Sequence, residues 1–284
     1  LNMVRQGVVG ELTHAEGAYI HSLVEYMQPP EGEEIYQGHW RIRHNLERDG
    51  NLYPTHGLGP VAQCLDIGRG NRFLYLTSMS SQQAAFTEHA RQTGNLAYAD
   101  LPTYRGDMNT TLIKCAGGQT VMVQHDTSTP RAYSRIHLLQ GSRGMARKWP
   151  QQGICLHEKG HRWLDDEELA EMERTYQHPL TRTIGDLARR VGGHGGMDFI
   201  MDYRLIYCLK NGLPLDQDVY DAATWSAVVP LSCASVADRS NSVDVPDFTR
   251  GAWRTNAPLA IVDVDPARLP VQAAAEASEQ LEVN

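Results

Sequence analysis

The chain has 284 residues, with 26 Lys and Arg against 34 Asp and Glu, a formal charge of −8 with histidine neutral. That balance excludes a protein held to nucleic acid by a basic surface, which must displace counterions from phosphates. Hydrophobic residues make up 41% and charged residues 21%, and no run approaches the roughly 20 apolar residues that span a bilayer, so a soluble globular chain is expected.

Leu1, Met3, Val4 and Val8 have the spacing of the last turns of a helix stopped at Gly7, with no initiator methionine or signal before them. Residues 1–10 therefore read as a joining helix left from a longer chain, and any export signal would stand upstream. Residues 13–23 alternate, with His14, Glu16, Ala18 and Ile20 against Ala15, Tyr19 and His21, and predict a strand. Pro29, Pro30, Gly32 and Gly38 predict a loop over 28–38. Trp40, Ile42 and Leu46 lead to Gly50, and the turn formers of 51–60 give way to a short helix on Leu58, Val61, Ala62 and Leu65.

Phe73, Tyr75, Thr77 and Met79 mark one face of a strand, and residues 81–93 predict a helix capped by Ser81 and stopped at Gly94. Strands at 110–115 and 119–125 are joined by Ala116-Gly117-Gly118, a hairpin signal, and 135–141, 144–149 and 153–157 continue the antiparallel pattern. Helices are expected at 165–176, 179–191, 198–211 and 216–238, the last capped by its first Asp, and the Ala- and Glu-rich residues 266–284 predict a frayed tail. Consecutive strands with short turns predict an α+β fold over 11–265: an open, mostly antiparallel β-sheet with helices on one face.

Several motifs invite chemistry. Cys64, Cys115, Cys155, Cys208 and Cys233 form no C-x-x-C pair and read as mostly buried small hydrophobes, not a disulfide framework or zinc ribbon. His157-Glu158-Lys159-Gly160-His161 carries the letters of H-E-x-x-H, in which two imidazoles one helical turn apart bind zinc. Gly160 and the strand before it argue for a hairpin turn instead, so no metal is expected. Gly57-Leu58-Gly59-Pro60-Val61-Ala62 approaches the pyrophosphate fingerprint, but no strand precedes it and no acid follows about 20 residues later. Gly192 to Gly196, near Asp198 and Asp202, reads as a helix break with the composition of an anion nest. No pair of acids stands out in the manner of a two-carboxylate glycosidase. The densest feature is the run Tyr53, Pro54, Thr55 and His56, a phenol, a hydroxyl and an imidazole held by proline and flanked by glycines.

Residues 50–67, reading GNLYPTHGLGPVAQCLDI, resemble glycoside hydrolase family 109, NAD-dependent alpha-N-acetylgalactosaminidases within the glucose-fructose oxidoreductase/inositol dehydrogenase/MocA superfamily. The same resemblance runs through Gly10-Glu11-Leu12, Glu16-Gly17-Ala18-Tyr19, Arg43-His44-Asn45, Ser78-Met79-Ser80, Tyr133-Ser134-Arg135 and Gly193-His194-Gly195-Gly196-Met197-Asp198-Phe199, over about residues 1–265. It implies an open-sheet catalytic domain whose Rossmann partner domain lies outside this chain. It also implies NAD as a recycled cofactor and a substrate with terminal N-acetylgalactosamine.

Carried onto this sequence, the resemblance implies substrate contacts for Tyr19, Arg41, Tyr53, Pro54, Thr55, His56 and Tyr133, with Tyr53 also touching the cofactor. Tyr53, His56 and Tyr133 are the catalytic candidates it implies. Oxidation at C3 of the sugar acidifies the C2 proton; deprotonation, loss of the C1 substituent, addition of water and re-reduction follow. Two other readings stand beside it. One is a superfamily sugar or polyol dehydrogenase, whose usual Asp and His would lie on the helix near residue 55, where this chain has Thr55-His56-Gly57. The other is a non-catalytic segment whose open sheet face serves homo-oligomerisation. The resemblance implies a bacterial protein, cytoplasmic, or periplasmic if a twin-arginine signal lies upstream.

Overall fold

The structure, a computed structural model, describes residues 1–28, 40–99 and 105–265. The expected loop from residue 29 and the tail from residue 266 lie outside the described residues. In chain order the elements are α1 (Asn2–Arg5), β1 (Leu12–Ile20), α2 (Val24–Met27), α3 (Trp40–Glu47), α4 (Thr55–Cys64), β2 (Phe73–Ser80), α5 (Ala85–Thr93) and α6 (Leu96–Ala99). Then come β3 (Asn109–Cys115), β4 (Thr120–Asp126), β5 (Leu138–Gly141), β6 (Gly144–Arg147), β7 (Gly153–Leu156), α7 (Asp166–Tyr176), α8 (Pro179–Val191), α9 (Met197–Asn211), α10 (Val219–Ala237) and β8 (Val243–Asp244). Two compact units emerge, one built mainly of Met3–Leu169 with Gln217–Leu259, the other of Ala170–Asp216 with residues from Ala260.

The first unit is an eight-stranded open sheet in the order β7-β6-β5-β1-β4-β3-β2-β8. Among these described strands only β1 and β4 run parallel; the other pairs are antiparallel. One face is covered by α4 and α10. Leu58, Val61, Leu76, Val121, Val123 and Val228 are fully buried between helix and sheet, each such side chain contributing about 1.5–3 kcal/mol. The other face shows Tyr75, Met79 and Leu112 to solvent.

The covered face admits α4 closely because two glycines cross. A Cβ on Gly17 of β1 would stand well inside 3.0 Å of the Gly57 carbonyl, and a Cβ on Gly57 equally close to the Ala18 amide nitrogen. The turn before α4 is pinned as well. The Asn51 amide donates to Ser232 Oγ at 2.9 Å, and its side-chain nitrogen donates to the Val123 carbonyl at 3.3 Å.

Several local expectations are corrected. α4 starts at Thr55, not Leu58, with Pro54 as its N-cap, so His56 lies in the first helical turn. Ser81 does not cap α5. Residues 81–84 precede the helix, and Asp107 takes the amides of Ala84 and Ala85 at 2.6 and 2.7 Å, because a carboxylate offers two acceptors to an unsatisfied helix start. α10 is capped by Asp218, not Asp216, in a reciprocal capping box with Asp221. His157–Lys159 is a single 3-10 turn after β7, not the turn of a hairpin, since β7 is the sheet's edge strand.

Among the described residues no group of His, Cys, Asp or Glu could hold a metal ion, and no helix is long and apolar enough to cross a membrane. The cysteines are unbridged, and burial pushes the Cys115 thiol up to about 12, which leaves it inert. In the second unit α8 and α9 pack around Ile184 and Tyr207 with Val264. The glycine run between them turns through left-handed φ at Gly192, Gly193, Gly195 and Gly196, and His194 Nδ1 meets Asp198 Oδ2 at 2.8 Å.

Candidate functional site

β1 and β4 run parallel, so their last residues finish at the same end of the sheet, and Tyr19 stands in register beside His125. Both point to the covered face, where the glycine crossing brings the first turn of α4 down onto β1. Three rings meet there. Tyr19 and Tyr53 have centroids 4.6 Å apart, Tyr19 and His56 4.9 Å, and Tyr53 and His56 4.7 Å. Arg41, from α3, lays its guanidinium 4.4 Å from the Trp40 ring, 5.4 Å from Tyr53 and 6.0 Å from Tyr19. Arg43 is exposed, since residues two apart on a helix do not share a face.

Tyr133 joins this triangle through an intermediary. His21 lies 4.8 Å from Tyr19 and 5.1 Å from Tyr133. On its far side Tyr133 meets Trp149 at 6.4 Å, and Arg135 Nε donates to its phenolic oxygen. Pro54 is buried, and its carbonyl accepts the Leu58 amide at 2.8 Å; Thr55 is half-buried in the same turn. All seven residues that the resemblance singled out thus lie at one end of one sheet.

Burial gives the polar groups of this site distinct protonation. It raises the Tyr19 phenol above its ordinary value against the opposing pull of Arg41, so Tyr19 remains a hydrogen-bond donor at neutral pH. Burial, helped by Arg41 and Arg135, lowers His21, and burial with Arg105 and Arg41 takes His125 well below the usual histidine range. Both imidazoles are neutral. Neither nitrogen of His125 has a hydrogen-bond partner among the described residues, nor does His21 Nε2.

Behind the rings, buried Arg105 ties α3 to the sheet. Its Nε donates to Asn45 Oδ1 at 2.9 Å, its backbone amide donates to the Asn45 carbonyl at 2.9 Å, and its other nitrogens reach the Gly106 and Asp107 carbonyls and Thr127. Because Asn45 stands one turn beyond Arg41 on α3, this clasp sets how Arg41 is presented.

The arrangement offers phenols, imidazoles and guanidinium groups, and no carboxylate belongs to this ring cluster among the described residues. Tyr53, half-buried between Trp40 and His56, fits a contact to both a sugar and a nicotinamide ring. Gly57 and Gly59 do not fit a diphosphate, because they are buried in α4 against β1 and the Trp225 ring. The Gly57–Gly59 turn is therefore not a phosphate cradle. Sequence reasoning missed His21, Trp40, His125 and Arg135. Two of them had a usable signal, since Tyr19 with His21 and Tyr133 with Arg135 are both polar pairs two residues apart, the spacing that shares a face on extended chain.

Residues 1–255 match the glycosyl hydrolase 109 C-terminal domain. A glycosyl hydrolase family 109 protein of Shewanella amazonensis is 52% identical over 274 residues, 93% of this chain and 58% of that protein. An alpha-N-acetylgalactosaminidase of Bacteroides fragilis is 49% identical over 259 residues, 89% of this chain and 60% of that protein. The chain spans less than two thirds of the length of either relative. Among solved structures, levoglucosan dehydrogenase in complex with NADH and L-sorbose superposes with a TM-score of 0.57 at 14% identity, covering 87% of this chain and 62% of that one. An oxidoreductase from Pseudomonas syringae reaches 0.51 at 14% identity over 86% of this chain and 59% of that chain. Those two likenesses establish the sheet-and-helix architecture as one shared with the C-terminal domains of oxidoreductases. On the family match and the identity to its members, the chain belongs to glycosyl hydrolase family 109.

Proposed function

We propose that the protein carrying this chain is an NAD-dependent glycosidase that removes terminal alpha-N-acetylgalactosamine, and that this chain supplies the sugar site and the proton-transfer groups. The observation that carries the reading is the triangle of Tyr19, Tyr53 and His56 under the Arg41 guanidinium. It supplies hydrogen-bond donors and acceptors for sugar hydroxyls without the acid pair of a direct displacement. The dinucleotide-binding domain is assigned to the part of the relatives' length that this chain does not span. A nicotinamide cofactor, when bound, supplies reversible oxidation at C3 of the sugar, with Tyr53 as the residue of this chain that meets it.

With C3 at the ketone level the C2 proton is acidic, and Tyr133 takes it. The electron pair of the C2–H bond forms the C1–C2 double bond as the C1–O bond breaks, and a proton passed through His56 goes to the leaving oxygen. Water then adds at C1, and Tyr133 returns the proton to C2. Tyr19, kept protonated by burial, donates to the sugar rather than acting as the base. Arg41 offers its N–H groups to the same ring.

The test uses the full-length natural protein with NAD and 4-nitrophenyl alpha-N-acetylgalactosaminide. Release of nitrophenol without net NADH is expected. Net NADH with no cleavage would assign the protein to the sugar dehydrogenases instead. His56→Ala is expected to lower turnover about 100-fold, and a near-normal rate would remove His56 from the mechanism.

A further inference from the structure

After β4 the chain returns to the end of β1 and pairs with it. Ile20 and Ser134 exchange backbone hydrogen bonds at 3.1 and 2.9 Å, and the Ala18 amide donates to the Arg135 carbonyl at 2.8 Å. In this short extended run Ser134 is buried, so the residues on either side of it share the opposite face. Those residues are Tyr133 and Arg135. The run ends abruptly, because Ile136 and His137 both adopt left-handed φ and the His137 amide turns back to the Arg135 carbonyl at 2.6 Å. Arg135 is therefore fixed through its backbone at a sharp corner, with its side chain launched towards the phenol.

Arg135 Nε donates to Tyr133 Oη, and the guanidinium carbon lies 5.7 Å from the Tyr133 ring centroid. A phenol that accepts this bond must send its own proton in another direction. When that proton is absent, the oxygen's negative charge faces a guanidinium that stays charged at every working pH. Among the described residues the other groups around Tyr133 do not supply this. From β1 come Tyr19 and the neutral His21; on the opposite side stands Trp149, whose ring carries the Lys148 ammonium at 4.8 Å from its centroid.

We propose that Arg135 is a positioning residue for catalysis, which orients the Tyr133 phenol and stabilises it in the form that takes the C2 proton of the sugar. In that step the C2–H bond breaks, the proton goes to Tyr133 Oη, and the electron pair stays with the sugar. The inference rests on the assignment of Tyr133 as the base under the proposed function.

The experiment measures the pH dependence of turnover of 4-nitrophenyl alpha-N-acetylgalactosaminide by the full-length protein with NAD, for Arg135→Gln, Arg135→Lys and Tyr133→Phe. Arg135→Gln is expected to lose roughly tenfold to 100-fold in kcat near neutral pH with KM little changed, and the loss is expected to shrink in alkali. Arg135→Lys restores part of the rate, since it keeps the charge and loses the directional Nε–H. If Arg135→Gln fails to fold, Arg135→Lys carries the same test with a smaller loss. A uniform loss at all pH values, or no loss, overturns the role of Arg135. The outcomes separate cleanly: an inactive parent rejects the glycosidase reading, an active Tyr133→Phe rejects the base, and a dead Tyr133→Phe beside a normal Arg135→Gln rejects this inference alone.

Discussion

Gly17 of β1 and Gly57 of α4 touch backbone to backbone, with no room for a Cβ on either. The contact lies one residue from His56 and two from Tyr19, so it sets the depth at which the helix turn meets the strand. In an ordinary helix Gly→Ala stabilises by about 1 kcal/mol. At Gly57 the added methyl would strike the Ala18 amide, which cannot swing aside as a side chain can, so Gly57→Ala is expected to destabilise by about 1–3 kcal/mol. Gly59→Ala meets only the Trp225 ring, at 3.0 Å, and should cost less. Thermal melting of the two variants checks the order; an unchanged melting temperature for Gly57→Ala would show that α4 can lift without penalty.

Arg105 and Asn45 form the link that holds α3 in place. Removing a hydrogen bond to a charged group costs about 1.5–3 kcal/mol, and here the loosened helix is the one that carries Trp40 and Arg41. Arg105→Met is expected to raise KM for the sugar about tenfold through Arg41, with a smaller change in kcat. Arg105→Lys should not rescue it, because one ammonium cannot reach Asn45, Thr127 and two carbonyls together. Steady-state kinetics on the full-length protein decide it, and an unchanged KM would separate Arg105 from the site.

Arg69 and Asp221 make a buried two-pronged ion pair, with bonds of 2.8 and 2.7 Å. Asp221 also closes the capping box of α10 by accepting the Asp218 amide at 3.0 Å. Asp221→Ala leaves Arg69 only its longer contact with the exposed Asp218, at 3.3 Å, and is expected to cost about 3 kcal/mol. The double change Arg69→Met with Asp221→Leu should recover much of that loss, since no uncompensated charge remains. Urea unfolding midpoints for the single and double variants test this, and additive losses would contradict it.

His137 gives acid sensitivity a definite sign. Burial first, then nearby positive charge including Lys148, takes it from 6.5 down to about 4. The unfolded chain therefore binds the proton more tightly than the folded one. Its contribution is fully present above about pH 6.5, is lost as pH falls towards 4, and amounts to about 3 kcal/mol. His21 and His125 shift in the same direction and add to the effect. His137→Asn, which tolerates the left-handed φ of this position, is expected to shrink the drop in urea midpoint between pH 7 and pH 5. An identical drop would clear His137 of the effect.

What the sequence disclosed follows the range of the forces involved. The β3–β4 hairpin was legible because its partners are adjacent and its turn residues announce it. α8 and α10 were legible from their spacing and acid or proline starts. The cap of α5 was not, because the carboxylate that satisfies it, Asp107, comes from beyond the helix's far end and only the fold returns it. α3 lies in a stretch whose apolar residues, Trp40, Ile42 and Leu46, were too few to assert a helical period. At the site, the Tyr53 to His56 run stood out because its groups are contiguous. His21 and Arg135 did not: each has a local partner two residues away, Tyr19 and Tyr133, and only the pairing of Ile20 with Ser134 brings the two pairs side by side.

The middle position of β1 in the sheet bears on the order in which the protein folds. Its first ladder partner is separated from it by as many as 106 residues, as between His14 and Thr120, and its other partner, β5, lies later still. Emerging early during synthesis, β1 has no strand to pair with until β4 is made. Closing so long a loop is paid in entropy before any pairing rewards it, which slows folding relative to local hairpins. The β3–β4 hairpin can form first and serve as the template on which β1 docks. Because Tyr19 and His21 ride on the end of β1, the ring cluster comes together at that docking step, late and all at once.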